Sequence, residues 1–269
     1  MLIRLSKERM EDSFLEYLGA LFAHPEIISA AVRDVVITRE TISETGKQAF
    51  NAGFHDIYSD IDLSVKVRLP KNGSVILEDY MKRKDLFGVS DDTALGFMFI
   101  PVNQMYRIIF RNGMRYDLGF ECECDGDNSF VLEPYINEEE NANWPLGNID
   151  RFWFIQIQAL GKLYRKDYLI SSHLANMNCN DTLVMQMVMR DLKYETSHHR
   201  YGYAEELEYV KELGKTPFKN DDKTFNRIAD HLYAAALAYD RLVKYFYPEY
   251  KPRSELYFSI WDWYDSCRE

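Results

Sequence analysis

Asp60 and Asp62 stand two residues apart in the run Tyr58-Ser59-Asp60-Ile61-Asp62-Leu63-Ser64-Val65-Lys66-Val67. Ile61, Leu63, Val65 and Val67 alternate there with Asp60, Asp62, Ser64 and Lys66, the period of a half-buried strand. On such a strand the two carboxylates share one face, roughly 7 Å apart at the backbone, so their side chains converge on one cation or bracket two. Strands are poor in Asp, and an isolated Asp-x-Asp reads first as the solvated head of a strand. A third acid changes the balance. Asp117 falls on a later predicted strand, in Arg115-Tyr116-Asp117-Leu118-Gly119-Phe120. If the two strands are neighbours, three carboxylates meet on one surface. Such a cluster repels itself unless a cation neutralises it, and Mg²⁺ prefers oxygen ligands. Two such ions about 3.5–4 Å apart would activate a hydroxyl and stabilise the leaving oxygens of an in-line displacement at phosphorus.

The elements that must position these acids are legible from periodicity. Ser6 to His24 reads as an amphipathic helix with a stripe of Met10, Phe14, Leu18, Leu21 and Phe22, ended by Pro25. Val35-Val36-Ile37 reads as a buried strand, and residues 39–55 as a polar, irregular stretch broken by Gly46 and Gly53. After the Asp60 strand, residues 70–74 read as a turn, 76–87 as a helix, Asp91-Asp92 as a loop and 96–100 as a strand. Tyr106 to Arg111 and Met114 to Glu123 form a hairpin around Asn112-Gly113, the two-residue turn in which both positions take positive φ. Its returning strand puts Met114, Tyr116, Leu118 and Phe120 on one face, and Arg115, Asp117, Gly119 and Glu121 on the other. Residues 125–147 are acidic and loop-like, with Glu138-Glu139-Glu140-Asn141 the most linker-like segment. Beyond it the period is helical: from a cap at Asn148 or Asp150 to about Lys166, Asp181 to Tyr194, Tyr203 to Leu213, Thr224 to Phe246 as the longest, and an aromatic piece from Glu255 to Tyr264. The predicted layout is an α/β (α+β) half, residues 1–147, followed by a helical bundle, residues 148–269.

Composition bounds the function classes. A hydrophobic fraction of 46%, with 16 Phe, 19 Tyr and 4 Trp, supports a full core and argues against disorder. The net charge of -11 argues against binding a nucleic-acid backbone and suits a cationic or metal-chelated small substrate. Cys122, Cys124, Cys179 and Cys267 have neither disulfide-framework density nor paired zinc spacing, and read as free thiols in a reducing compartment. Neither a signal peptide nor a membrane-length apolar run is evident, so a cytoplasmic protein is expected, with no membrane partner.

Ser59-Asp60-Ile61-Asp62-Leu63, followed by a strand with Asp117 between hydrophobic residues, resembles the DNA polymerase β-like nucleotidyltransferase superfamily. Within it, the chain is similar to the antibiotic nucleotidyltransferases that modify aminoglycosides and lincosamides. Phe152-Trp153-Phe154 and Lys162-Leu163-Tyr164-Arg165-Lys166-Asp167-Tyr168-Leu169 match the opening of that family's helical half, and the likeness spans roughly residues 30 to 200. The resemblance implies an N-terminal mixed-sheet nucleotidyltransferase domain with flanking helices and a C-terminal bundle. It implies that Asp60 and Asp62 hold Mg²⁺ with a nucleoside triphosphate, ATP being the expected one. Asp117 would complete the metal site and help deprotonate the acceptor, and Lys162 would contact phosphates. The activity implied is transfer of a nucleoside monophosphate to a small-molecule hydroxyl, releasing pyrophosphate.

The chain departs from that pattern in one place. The family carries a hydrophobic residue, Gly, then Gly or Ser about ten residues before the first Asp, cradling phosphates with backbone N–H groups. The nearest equivalents here are Thr45-Gly46-Lys47, without the hydrophobic lead, and the strand end Ile37-Thr38-Arg39, where Thr38 would replace the serine hydroxyl and Arg39 the charge. Ser59 completes the candidate nucleotide contacts.

The departure keeps open a degenerate fold that binds a ligand or partner without catalysis, and an enzyme that modifies a protein hydroxyl instead. Glu121 reads as an exposed acid rather than a base, His198-His199-Arg200 as surface, and the methionines at 185, 187 and 189 as core. Trp261 and Trp263 read as packing, with an aromatic dimer surface as the alternative, so monomer and homodimer both stand.

Overall fold

The computed structural model describes residues 6–69, 88, 93–100, 105–124, 145–196 and 208–268. Two compact units divide the chain, Met1–Ile136 and Asn137–Glu269. The predicted turn at 70–74, helix at 76–87, loop at 91–92, linker at 138–141 and histidine pair at 198–199 lie outside the described residues. The described helices and strands together make an α/β protein.

The first unit is built on a six-stranded mixed sheet. Helix α1 (Lys7–Phe22) is capped by Ser6, whose side chain accepts from the Arg9 N–H. Strands β1 (Ile27–Val32) and β2 (Val35–Thr38) form a hairpin, and α2 (Ile42–Gly53) follows. Then come β3 (Ile61–Leu69), β4 (Ala94–Ile100), β5 (Met105–Phe110) and β6 (Arg115–Cys124). The spatial order is β2-β1-β3-β6-β5-β4. Only β3 and β6 run parallel; the other neighbouring pairs are antiparallel.

Alternation assigns the two faces of the sheet. Ile61, Leu63, Val65, Val67, Tyr116 and Leu118 are buried on one, where α1 meets them through stacking of Tyr17 on Tyr116 at 4.3 Å and of Phe14 on Tyr116 at 6.3 Å. Phe50 of α2 packs on Phe14. Asp62, Ser64 and Lys66 point to the opposite face, away from α1 and α2.

Three local expectations change. The stretch 39–55, expected to be irregular, contains α2, because its glycines are packing positions rather than breakers. A Cβ on Gly46 would meet Leu15 Cδ2 at 2.5 Å, and one on Gly53 would meet Val32 Cγ1 at 2.6 Å. Val35-Val36-Ile37 is a strand, but it lies at the sheet edge, and Val36 is 58% exposed while Ile37 is buried. The hairpin turn is one residue longer than expected. The Phe110 N–H donates to the Met114 carbonyl and the Gly113 N–H to that of Phe110, and Gly113 alone of the loop takes positive φ, 87°. That is a three-residue loop closed by a left-handed glycine.

The described part of the second unit is helical. Helix α3 (Ile149–Tyr164), capped by Asn148, is apolar on nearly every side and packs against the other three. Those are α4 (Tyr168–Tyr194), α5 (Lys223–Phe246) and α6 (Ser254–Ser266). Helix α4 begins thirteen residues before the predicted Asp181 start and, at 27 residues against 24 for α5, is the longest. Between α4 and α5 the predicted helix 203–213 is a short 3₁₀ turn, Val210–Glu212, in its described part. Met185 is core, but Met187 is exposed, since alternate residues of a helix do not share a face. Trp261 and Trp263 are fully buried, which makes them packing.

Asp240 ties this unit together. Its carboxylate accepts from Tyr250 Oη–H at 2.7 Å and from the N–H groups of Arg253 and Ser254. It thereby caps α6 from a neighbouring helix, where Arg253 offers no side-chain cap. Trp153 Nε1–H donates to the same Tyr250 hydroxyl, and the Arg253 guanidinium reaches Asp150 at 2.7 Å.

Candidate active site

The parallel pairing of β3 with β6 sets Asp62 directly opposite Asp117. Asp60 precedes β3 by one residue. The chain reaches it through a turn in which Asp56 Oδ1 accepts from the Tyr58 N–H at 2.8 Å and from Ser59 Oγ–H at 3.0 Å. Ser59 is thus buried beneath the head of the strand, with its hydroxyl donating into the turn. Asp62 is exposed, Asp60 is 30% exposed, and Asp117 is 4% exposed.

Two arginines partner these acids. Arg107 of β5 lies opposite Asp117 in the antiparallel register, and its Nη2 is 2.7 Å from Asp117 Oδ2. Arg115 approaches Asp60 Oδ2 at 3.7 Å and donates to the Tyr58 carbonyl at 3.0 Å, which anchors it. Asp117 Oδ1 is buried and accepts no hydrogen bond. Burial, reinforced by the charge on Asp60, raises the Asp117 carboxyl to about 7 against the opposing pull of Arg107 and Arg115. Asp62 is also raised, first by desolvation and then by Asp60, while Arg107, His55 and Arg33 pull it down.

Arg33 and His55 complete the rim. In the antiparallel pairing of β1 with β3, Ala31 lies opposite Ser64, so continuing two residues brings Arg33 level with Asp62. Arg33 sits in the β1–β2 turn at a positive φ of 53°, and its Nη2 lies 2.5 Å from His55 Nε2.

Within the first unit, Thr38, Arg39 and Lys47 lie away from the acids. Thr38 pairs with Ser29, which pairs with Lys66, so Thr38 is level with the far end of β3. That is roughly 13 Å along the strands and about 10 Å across them from Asp62. Arg39 donates through Nε to the Phe22 carbonyl at 2.8 Å and through Nη2 to that of His24, closing the end of α1. Thr45-Gly46-Lys47 is helical, with Lys47 on Glu11 at 3.0 Å. The β1–β2 turn, Arg33-Asp34, is therefore the strand end beside the acids, and it carries no glycine. Lys162 belongs to the other unit, in the last turn of α3, 3.9 Å from Asp167. Glu121 is exposed and accepts from Ser64 Oγ–H at 3.3 Å.

Among the described residues no group of three His, Cys, Asp or Glu side chains could hold a metal ion as it stands. Guanidinium groups lie beside Asp117 Oδ2 and Asp60 Oδ2. The donor chemistry nevertheless suits a hard divalent cation, being all oxygen, and the orphaned Asp117 Oδ1 is a buried acceptor in need of a partner.

Arg107 was invisible to the sequence for a countable reason. A two-residue turn at Asn112-Gly113 would set Asp117 opposite Ile108; the three-residue loop sets it opposite Arg107. One residue of loop exchanges the faces of a whole strand. His55 and Arg33 carried no signal without the β1–β3 register.

No family model and no curated protein matches the chain.

Proposed function

We propose that the protein is a metal-dependent nucleotidyltransferase that moves a nucleoside monophosphate, AMP from ATP, onto a hydroxyl of a small cationic molecule such as an aminoglycoside- or lincosamide-like antibiotic. The observation that carries this reading is the opposition of Asp62 and Asp117 on adjacent parallel strands, with Asp60 at the strand head. On this reading the first unit is the nucleotidyltransferase domain and the second its helical companion. Asp60, Asp62 and Asp117 Oδ1 would hold Mg²⁺, which supplies charge neutralisation at the phosphates and a more acidic acceptor hydroxyl. Asp117 would also help deprotonate the acceptor hydroxyl. Arg33 stands on the rim where an anionic phosphate chain would run, in place of a glycine cradle. The net charge of -11 favours approach of a cationic acceptor.

A second reading, a fold of this type that binds a ligand without catalysis, is favoured by the ion pairs Arg107–Asp117 and Arg115–Asp60, which neutralise two acids without a metal. Calorimetry with Mg²⁺ and a non-hydrolysable ATP analogue, followed by an assay with labelled ATP and an antibiotic panel, separates the two. The nucleotidyltransferase reading expects both binding and a labelled small-molecule product. Binding without product in any acceptor pool supports the second reading, and absence of nucleotide binding at millimolar concentration removes the first.

A further inference from the structure

Three described residues other than glycine take a positive φ. Lys166 and Glu195 stand at the ends of α3 and α4, where a left-handed residue commonly closes a helix. Arg33 has no such reason. Val32 pairs with Val35, so Arg33-Asp34 is a two-residue hairpin turn, and a positive φ at its first position only is where such a turn favours glycine. An arginine there is strained backbone, of the kind kept where a side chain has to be held at a site. In the strand order β1-β3-β6, Asp62 has Asp117 on one side and is level with Arg33 on the other. The charges of Arg33 and His55 both act on Asp62.

The contact between these two residues is chemically one-sided. Arg33 Nη2 lies 2.5 Å from His55 Nε2. Arginine has no acceptor, so the ring nitrogen accepts and the imidazole carries its proton on Nδ1. Arg107 and Arg115 face carboxylates, which balance their charge. Arg33 is aimed by an uncharged acceptor and, among the described residues, pairs with no carboxylate, Asp34 in the same turn included. Its charge is therefore oriented, exposed and uncompensated. A pair of phosphate oxygens is the bidentate partner that suits it. We propose that Arg33 and His55 form the polyphosphate arm of the site: Arg33 binds the terminal phosphates of the nucleoside triphosphate, and His55 is the positioning residue that aims its guanidinium. This rests on the nucleotidyltransferase reading of the same site. A side chain on a strained turn then does the work of a glycine cradle of backbone N–H groups.

The test pairs thermal melts with isothermal titration calorimetry of the whole chain, using the Mg²⁺ complexes of tripolyphosphate and of a non-hydrolysable ATP analogue. Arg33→Gly relieves the left-handed strain, so it should melt at or above wild type. It should also bind both complexes at least about ten-fold more weakly, the loss of a charge-assisted bidentate contact. An arginine kept only for structure does not move stability and affinity in opposite directions. His55→Leu should weaken binding of both complexes by a smaller factor, and His55→Gln, which keeps an acceptor, should restore most of that loss. Wild-type affinity of Arg33→Gly for both complexes overturns the proposal and leaves the metal site standing. So does a melting temperature of Arg33→Gly below wild type, which makes the arginine a structural contact, and so does a loss confined to tripolyphosphate, which puts the arm out of the nucleotide's reach. Equal affinities of His55→Leu and His55→Gln overturn the positioning role of His55. No binding of either complex to wild type removes the nucleotidyltransferase reading, and the proposal with it.

Discussion

Asp117 and Asp240 are both buried aspartates, one in each unit, and they are treated in opposite ways. Asp240 is surrounded by donors: a tyrosine hydroxyl and two backbone N–H groups at the start of α6 meet its two oxygens. Asp117 has one guanidinium on one oxygen and nothing on the other, with two further carboxylates close enough to raise its proton affinity. A buried carboxylate whose lone pairs are used joins elements together. One left half-satisfied beside like charges costs stability, and such sites are typical of places where a ligand completes the coordination. The contrast separates a structural acid from a candidate catalytic one without appeal to sequence likeness.

Substitutions can break that contrast. The largest effect on stability is expected at Asp240: Asp240→Ala strands the Tyr250 hydroxyl and the first N–H groups of α6, and chemical denaturation should show a loss of about 3 kcal/mol or more. Asp117→Asn is expected to do the reverse at alkaline pH, leaving metal-free stability within about 1 kcal/mol of wild type or above it, because the amide removes the repelled charge.

The pH dependence has a defined sign. The folded carboxyl of Asp117 titrates at about 7, against about 3.9 in an unfolded chain. Between those values the folded state holds more protons than the unfolded one, so this group's contribution is fully present below about pH 4 and is lost as pH rises through 7. Urea titrations in EDTA across that window should show wild type losing stability with rising pH, and Asp117→Asn should flatten the curve. A wild-type profile without that decline would mean that Asp117 is ionised and comfortable, as a structural acid would be. The smallest effect is expected at Arg39. Arg39→Ala removes two hydrogen bonds to the end of α1 and should lower the melting temperature by the equivalent of about 1 kcal/mol, with nucleotide transfer unchanged.

Much of the first unit could be read from alternation alone. The strands bearing Asp60, Asp62 and Asp117 have clean two-residue periods, and their polar faces put the acids on one side. Alternation did not reveal which strands are neighbours or where loops end. Asp62 meets Asp117 because a strand pair distant in sequence runs parallel. Arg107 meets Asp117 because the loop at Asn112-Gly113 has three residues. Gly46 and Gly53 looked like breaks, since a residue without a side chain reads the same in a loop as where two elements approach closely. In the second unit, the polar start of α4 hid half of a helix whose buried face is made of Ser171, Ala175 and Asn178 rather than large apolar residues. Thr38 and Arg39 close the strand that precedes the acids in sequence, but the strand end nearest to them in space belongs to β1.

The most direct test of the central claim is Mg²⁺-dependent transfer of labelled AMP from ATP to small-molecule acceptors by wild type and by Asp62→Asn, an exposed position where the change should leave the fold intact. A labelled product is expected, abolished by EDTA and reduced about a thousand-fold or more by the substitution, the several kcal/mol of a lost metal ligand. Transfer that survives Asp62→Asn undiminished would contradict it.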